Sequence, residues 1–173
     1  MTTQVGIETG RFRLRELTEE DATLRYLGWL ANPEAKRFIV AAKTTHELER
    51  LAEYVRQRMN RPDILFLGIF EKRSGLHIGN IKYEPVDSIS GFAVMGILIG
   101  DPGWRGMGVA GEAIQGSAQW LREHRGITQI ILGVSDENHA AIKAYEKIGF
   151  VTGQTAYLPP PKRGFHTMIW SSQ

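Results

Sequence analysis

Three glycines, Gly106, Gly108 and Gly111, stand at the spacing G-x-G-x-x-G within DPGWRGMGVAGEA, residues 101–113. Glycine lets a backbone turn sharply and approach a phosphate, and a helix opening behind the turn aims its unpaired N–H groups at the anion. The same letters also read R-x-x-G-x-A, from Arg105 to Ala110. Both readings are phosphate chemistry, and they part downstream. A dinucleotide-binding turn asks for an acid about 20 positions on to hold a ribose. That position falls in the apolar run at Ile131, and the first acids, Asp136 and Glu137, come in the following turn. Only 62 residues (173 − 111) follow Gly111. A Pro-rich hairpin joins two of the strands among them, so a doubly wound sheet cannot be completed.

A second pair of polar groups lies further along, Asn138 and Tyr145, seven residues apart and so on about the same face of a helix. Read alone, Asn138 suits an N-cap and Tyr145 a core aromatic.

The elements that must carry these groups are legible from periodicity. RFRLREL (11–17) alternates basic with apolar as a strand does, and Thr18 with Asp21 marks a helix start, whose spacing through Leu24, Leu27, Gly28 and Ala31 ends at Asn32-Pro33. A second helix is expected from Thr44, with Glu47 completing a capping box, to Arg61-Pro62-Asp63. ILFLGIF (64–70), HIGNIKY (77–83) and GFAVMGILIG (91–100) read as an antiparallel meander, with KRSG and EPVDSIS as turns and Gly96 suited to a bulge. After the glycine turn, Ala110, Ala113, Ile114, Ser117, Ala118 and Leu121 give the clearest helical stripe. TQIILGV (128–134) is a buried strand, Asn138 to Ile148 a short helix stopped by Gly149, and FVTGQTAYL and GFHTMIW two last strands. The order β-α-α-β-β-β-α-β-α-β-β, unbroken by repeats or linkers, reads as one α+β domain over residues 1–173.

Composition narrows the chemistry. The chain contains no cysteine, which excludes disulfides, thiolate metal sites and a cysteine nucleophile, so group transfer must be direct or use another side chain. A net charge of +2 without a run of like charges gives no nucleic-acid signature. No long apolar run or leader is present, so no membrane association is expected and the default location is cytoplasmic. His46, His77, His124, His139 and His166 show no ligand spacing and no G-x-S-x-G elbow occurs, so neither a metal nor serine hydrolysis is expected.

Together, R-x-x-G-x-A and NHAAIKAYEKIGF (138–150), of the form N-x-x-A-x-x-x-Y-E-K-x-G-F, resemble the GCN5-related N-acetyltransferase (GNAT) family, in order and in separation. The resemblance implies a mixed, mainly antiparallel sheet flanked by helices and split between the fourth and fifth strands, the runs at 91–100 and 128–134. It implies acetyl-CoA as the acyl donor, with Arg105, Gly106, Met107, Gly108, Val109 and Ala110 around the pyrophosphate. Ile97, Leu98 and Ile99 would meet the pantetheine arm and thioester, and Asn138 would bond the arm. Tyr145 matches the family's general acid, a phenol able to protonate a departing thiolate.

The family has no universal base; His77, Glu84, Asp87 and Asp101 lie where a proton could be relayed through water. The acceptor site belongs to the first helices and last hairpin, with Trp29, His77, Asn80, Glu84 and Asp101 as candidate substrate residues. LRYLGWLANPEAKRF (24–38) with HIGNIKY and GILIGD resembles a subgroup acetylating amino-sugar nucleotides and, more distantly, ribosomal-protein N-termini. Phe38 and Arg37, with Lys162 and Arg163, would suit a nucleotide sugar. The leading expectation is a small-molecule amine, an amino-sugar nucleotide first, in direct ternary-complex transfer. The alternatives are a protein N-terminus or a coenzyme A-binding module without turnover. Family members often pair, so a homodimer is allowed for.

Overall fold

The computed structural model describes residues 4–32 and 47–173. Its strands are β1 (Gly6–Glu8), β2 (Phe12–Glu16), β3 (Leu65–Glu71), β4 (His77–Asp87), β5 (Phe92–Ile99), β6 (Gln129–Ser135), β7 (Val151–Thr152) and β8 (Phe165–Ser171). Among the described residues the helices are α1 (Leu24–Ala31), α2 (Leu48–Arg56), α3 (Val109–Arg125) and α4 (His139–Lys147). The eight strands form one sheet in the order β1-β2-β3-β4-β5-β6-β8-β7, antiparallel except where β5 runs parallel to β6.

Alternation along β3 decides which helix covers which face. Leu65, Leu67 and Ile69 join the core beneath α3, which also takes Phe12 and Leu14 from β2. Phe66 points the other way, into a smaller core made with Tyr26, Trp29 and Leu30 of α1 and Leu51 and Val55 of α2. The stripe expected on α3 buries Ala113, Ile114, Ser117, Ala118 and Leu121, with Ala110 at its edge. The one polar member is satisfied: the Ser117 and Tyr83 hydroxyls lie 2.7 Å apart, and Ser117 also donates to the Ala113 carbonyl.

Several local expectations are corrected. Thr18 and Asp21 do form a capping box, but it closes only a 3-10 turn over Glu19–Asp21, and Thr23 caps α1 afresh by accepting from the Tyr26 N–H at 3.2 Å. The Asp21 carboxylate, bonded to Thr18 N–H, is also gripped by both arms of Arg15 at 2.7 and 2.8 Å, which ties the turn to β2. Thr44 lies outside the described residues, and Glu47, expected inside the second helix, stands at its N-cap. β1 was not expected at all.

EPVD is strand, not turn. β4 continues to Asp87 because Glu84 and Pro85 form a bulge opposite Val94, a place where proline's missing N–H costs no ladder bond. The bulge is therefore on β4, while Gly96 pairs regularly with Lys82. Of FVTGQTAYL only Val151 and Thr152 join the sheet; Tyr157 leaves it to stack on Phe92, ring centres 4.2 Å apart.

Candidate coenzyme and acceptor site

β5 and β6 pair only from Phe92–Val94 to Gln129–Ile131 and then part, which puts the split at the expected place. The ladder says which peptide groups line it. Gly100 N–H donates to the Ile78 carbonyl, so in the regular antiparallel register Leu98 and Gly96 also turn their peptide groups toward β4. Met95 faces β6, where the parallel register spends its N–H on the Ile131 carbonyl, and Ile97 and Ile99 turn theirs into the gap. Of the three strand residues expected to meet a pantetheine arm, Ile97 and Ile99 offer backbone groups there, whereas those of Leu98 are spent on β4.

Beyond the strand the chain makes a 3-10 turn over Pro102–Trp104 and enters the glycine turn. Gly106 has φ 70° and Gly108 φ 76°, the left-handed region that side chains disfavour. The turn is open, since a Cβ at Gly106 would meet nothing within 4 Å. The helix ladder of α3 begins with Glu112 N–H donating to the Gly108 carbonyl, leaving the N–H groups of Val109, Ala110 and Gly111 without an intrahelical acceptor. Arg105 clamps the turn to β5 by donating to the Ile99 carbonyl at 3.2 Å, and Met107 is exposed at the lip. Gly111 has a different purpose: a Cβ there would lie 3.3 Å from the Ile148 side chain, so it serves the packing of α3 on α4.

Asn138 is the N-cap of α4, its side-chain oxygen accepting from Ala141 N–H at 3.4 Å. Tyr145 sits two turns on, packed against the main core and tilted on Phe150. Its hydroxyl has no hydrogen-bond partner among the described residues. Burial alone pushes the phenol up to about 12.

The candidate acceptor residues divide into three groups. Trp29, His77 and Asn80 cluster under α1. The His77 ring stacks on Phe70 at 4.7 Å and meets Trp29 and Tyr26 edge-on, and its Nε2 lies 2.6 Å from the Asn80 side-chain oxygen. Trp29 covers Gly100 so closely that a Cβ there would fall 2.0 Å from the indole, which makes it a packing residue in the first instance. Glu84 belongs to a second cluster with Lys82, Tyr54 and Arg58: one carboxylate oxygen takes Arg58 Nε at 2.9 Å and Lys82 Nζ at 3.2 Å. Lys82 also donates to the Tyr54 hydroxyl, and Arg58 lies over the Tyr54 ring. Beside them Gly96 is exposed and unobstructed on the same face as Lys82. Asp101 stands apart, capping the 3-10 turn through Gly103 N–H and pairing with Arg25 of α1. Of the other suggested proton relays, Asp87 accepts from Ile89 and Ser90 N–H in its own turn. Phe38 and Arg37 lie outside the described residues, and Lys162 and Arg163 are exposed.

Burial disfavours the charged imidazole, so the folded His77 titrates below its ordinary value; the Asn80 contact opposes this only in part. Where the unfolded chain binds more protons, stability rises with pH. The neutral imidazole's contribution is thus whole above the unfolded value and is lost progressively as pH falls from there toward the lower folded value. Urea unfolding should show stability declining from about pH 7.5 to about pH 5.5, and declining less in His77→Gln. Equal declines would show that His77 is not the group responsible. The lowered carboxyls of Asp21 and Glu84 do not interfere, because burial, which would raise them, is outweighed by Arg15 for the first and by Lys82 and Arg58 for the second. Their contributions are lost only at lower pH.

Two residues outside the expected set adjoin the glycine turn. Glu112, in the first turn of α3, accepts from Arg11 N–H at 2.6 Å, Arg11 Nε at 2.8 Å and the Thr9 hydroxyl at 2.8 Å. Arg11 and Glu112 are 101 positions apart, and no local pattern announces the pair.

The family model for the acetyltransferase (GNAT) domain matches residues 11–151. The chain belongs to this family. The GNAT likeness extends to solved structures. An acetyltransferase (GNAT family) from Bacillus anthracis has a TM-score of 0.78 at 16% identity, covering 96% of this chain and 98% of that one. A ribosomal L7/L12 alpha-N-protein acetyltransferase in complex with coenzyme A has a TM-score of 0.83 at 14% identity, with the same coverage of 96% and 98%. Spermidine N-acetyltransferase from Vibrio cholerae, in complex with CoA and spermine, has a TM-score of 0.77 at 18% identity over 93% of this GNAT chain and 95% of its own. At these identities the likeness is one of fold. No curated protein matches the chain significantly. Among the described residues no helix is long and apolar enough to cross a membrane, and no group of side chains could hold a metal ion.

Proposed function

We propose that this chain is an acetyl-CoA-dependent N-acetyltransferase that carries acetyl directly from the thioester to a primary amine. The observation that carries the proposal is the parting of β5 from β6 after Val94 and Ile131, with the open glycine turn following β5. A pyrophosphate suits the turn, where helix N–H groups lack acceptors and no side chain intrudes. Pantetheine amides suit the gap, where the Ile97 and Ile99 peptide groups lie beyond the last β5–β6 pair, and a gap-facing N–H would polarise the thioester carbonyl.

The amine attacks the carbonyl carbon, its proton passes to water, and the C–S bond breaks. The coenzyme thiolate leaves beside the Tyr145 hydroxyl. Without cysteine there is no thiol to carry the acetyl group, in keeping with direct transfer. The amine would approach across the α1/α2 face at Gly96, where the sheet is uncovered between Lys82 and Leu98.

For the acceptor, an amino-sugar nucleotide rests on the sequence resemblance alone. The named neighbours act on a ribosomal protein or on spermidine, which favours putting a protein N-terminus and a polyamine beside it in the first screen.

Thermal unfolding with acetyl-CoA, coenzyme A, NAD and NADP in parallel tests the donor. A ligand at about 100 times its Kd adds about 2.7 kcal/mol to folding, several degrees in Tm. Stabilisation by the two coenzyme A species alone is expected. Thiol release is then followed with an Ala- or Ser-starting peptide, spermidine and an amino-sugar nucleotide. Stabilisation by NAD or NADP instead would overturn the reading, and coenzyme binding with no turnover on any amine would leave a binding module.

A further inference from the structure

We propose that Arg11, just before β2, is a pyrophosphate-binding residue of the coenzyme site; this rests on the acetyl-CoA reading above. The glycine motif supplies backbone N–H groups, and the Nε of its own arginine, Arg105, is turned onto the Ile99 carbonyl of β5. Arg11 brings a cation from the other end of the chain. A Cβ built on Gly108 would lie 3.6 Å from Arg11 Nη2, so the guanidinium edge borders the N-cap of α3.

Glu112 sets that position. Its carboxylate takes the Arg11 backbone N–H and Nε together, fixing both the root and the neck of the side chain, while the Thr9 hydroxyl holds the same carboxylate. Burial would raise the Glu112 carboxyl, but the Arg11 and Thr9 bonds hold it below the usual range, so it remains an anion. The guanidinium lies over the Phe12 ring, 4.9 Å from its centre, but its two Nη groups make no hydrogen bond among the described residues, and the side chain is 42% exposed. A guanidinium whose Nε is taken still has four N–H bonds in one plane, the geometry that grips two oxygens of a phosphate. The arrangement also answers an electrostatic problem. Glu112 stands one turn behind an anion-binding turn, where a bare carboxylate would repel the ligand, and Arg11 neutralises it on the side facing the glycines.

The test is calorimetric binding of coenzyme A and 3′-dephospho-coenzyme A to wild type, Arg11→Ala, Arg11→Lys and Glu112→Gln, with urea unfolding of each. Arg11→Ala is expected to weaken both ligands about tenfold and to flatten the dependence of Kd on salt, with partial recovery in Arg11→Lys. Glu112→Gln breaks the same pair but keeps the cation and removes the opposing charge. It should lose stability as Arg11→Ala does, yet bind coenzyme A at least as well as Arg11→Ala and with the wild-type salt dependence. Equal weakening and equal flattening of the salt dependence in both variants would reduce Arg11 to a structural partner and overturn the proposal. So would unchanged binding in Arg11→Ala. Weakening confined to coenzyme A would place the contact on the 3′-phosphate and overturn the pyrophosphate assignment. Failure of wild type to bind either ligand would instead defeat the acetyl-CoA reading itself, and this proposal with it.

Discussion

Gly108→Glu is expected to lower coenzyme A affinity by at least about 100-fold while the protein stays folded. The affinity loss has two sources. The new side chain would fill the hollow of the turn, and its carboxylate would stand where the N–H groups of Val109 to Gly111 and the Arg11 edge otherwise meet phosphate. Like charges brought together in this way cost several kcal/mol. The folding cost is smaller. Gly108 has φ 76°, a conformation that costs a side-chain-bearing residue about 1 kcal/mol, against a total stability of about 5–15 kcal/mol. A Cβ there makes an ordinary contact with Arg11 and no clash, and the new carboxylate would pair with that guanidinium. Gly108→Asn separates the effects, because Asn accepts left-handed backbone and carries no charge. It should fold as well as Gly108→Glu and keep much more of the affinity. Isothermal titration alongside urea unfolding reads both quantities, and normal coenzyme A binding by Gly108→Glu would mean that the phosphate site has been misplaced.

What the sequence disclosed of this site was whatever is written in short-range order. The α3 stripe and the glycine turn in front of it are patterns of a dozen residues, set by helical period and by backbone freedom, and both stand where they were read. Asn138 was legible as the N-cap it is, while the roles given to it and to Tyr145 rest on the family resemblance. Groups joined across the sheet left no such trace. Arg11 looked like one of several alternating basic residues on an edge-proximal strand, and only the packing of α3 on the β1–β2 turn makes it a neighbour of Gly108. The Glu84–Lys82–Arg58–Tyr54 cluster is likewise made by docking α2 onto β4.

Where local signals failed, a tertiary contact overrode them. Pro85 argued for a turn, but a bulge lets β4 run through it to pair with β5. Tyr157 had the letters of a strand residue, but its ring found Phe92. The capping box at Thr18 was real and yet stopped after one turn, where Arg15 ties Asp21 to the strand behind it. Gly111, which completed the dinucleotide spacing, turned out to be a helix-packing glycine, and this explains in physical terms why the G-x-G-x-x-G match carried less than R-x-x-G-x-A.

Tyr145→Phe should lower kcat by about 10- to 1000-fold with coenzyme A affinity nearly unchanged. The resemblance suggested a phenol able to protonate the departing thiolate, and the fold alters that account. With its pKa pushed up to about 12, Tyr145 is protonated at every working pH, so the donor is always loaded. A thiol near pKa 8.5 is by then the stronger acid, and full proton transfer to its thiolate would run uphill. On the proposed mechanism Tyr145 would therefore help chiefly by donating a hydrogen bond to the sulfur as charge gathers on it. The thiolate takes its proton from solvent after leaving. Burial serves this role, since a hydroxyl with no partner among the described residues is free to turn to the sulfur, and a hydrogen bond to an anion gains strength where water is scarce. Two results follow for the pH profile of kcat. The wild type should show no falling limb from Tyr145 between about pH 8 and 10, where an unperturbed phenol begins to ionise. Tyr145→Phe should scale the whole profile down without changing its shape. An unchanged kcat would remove Tyr145 from the mechanism, and a wild-type limb near pH 9 that vanished in the variant would mean full proton transfer from a far more acidic phenol than this burial allows.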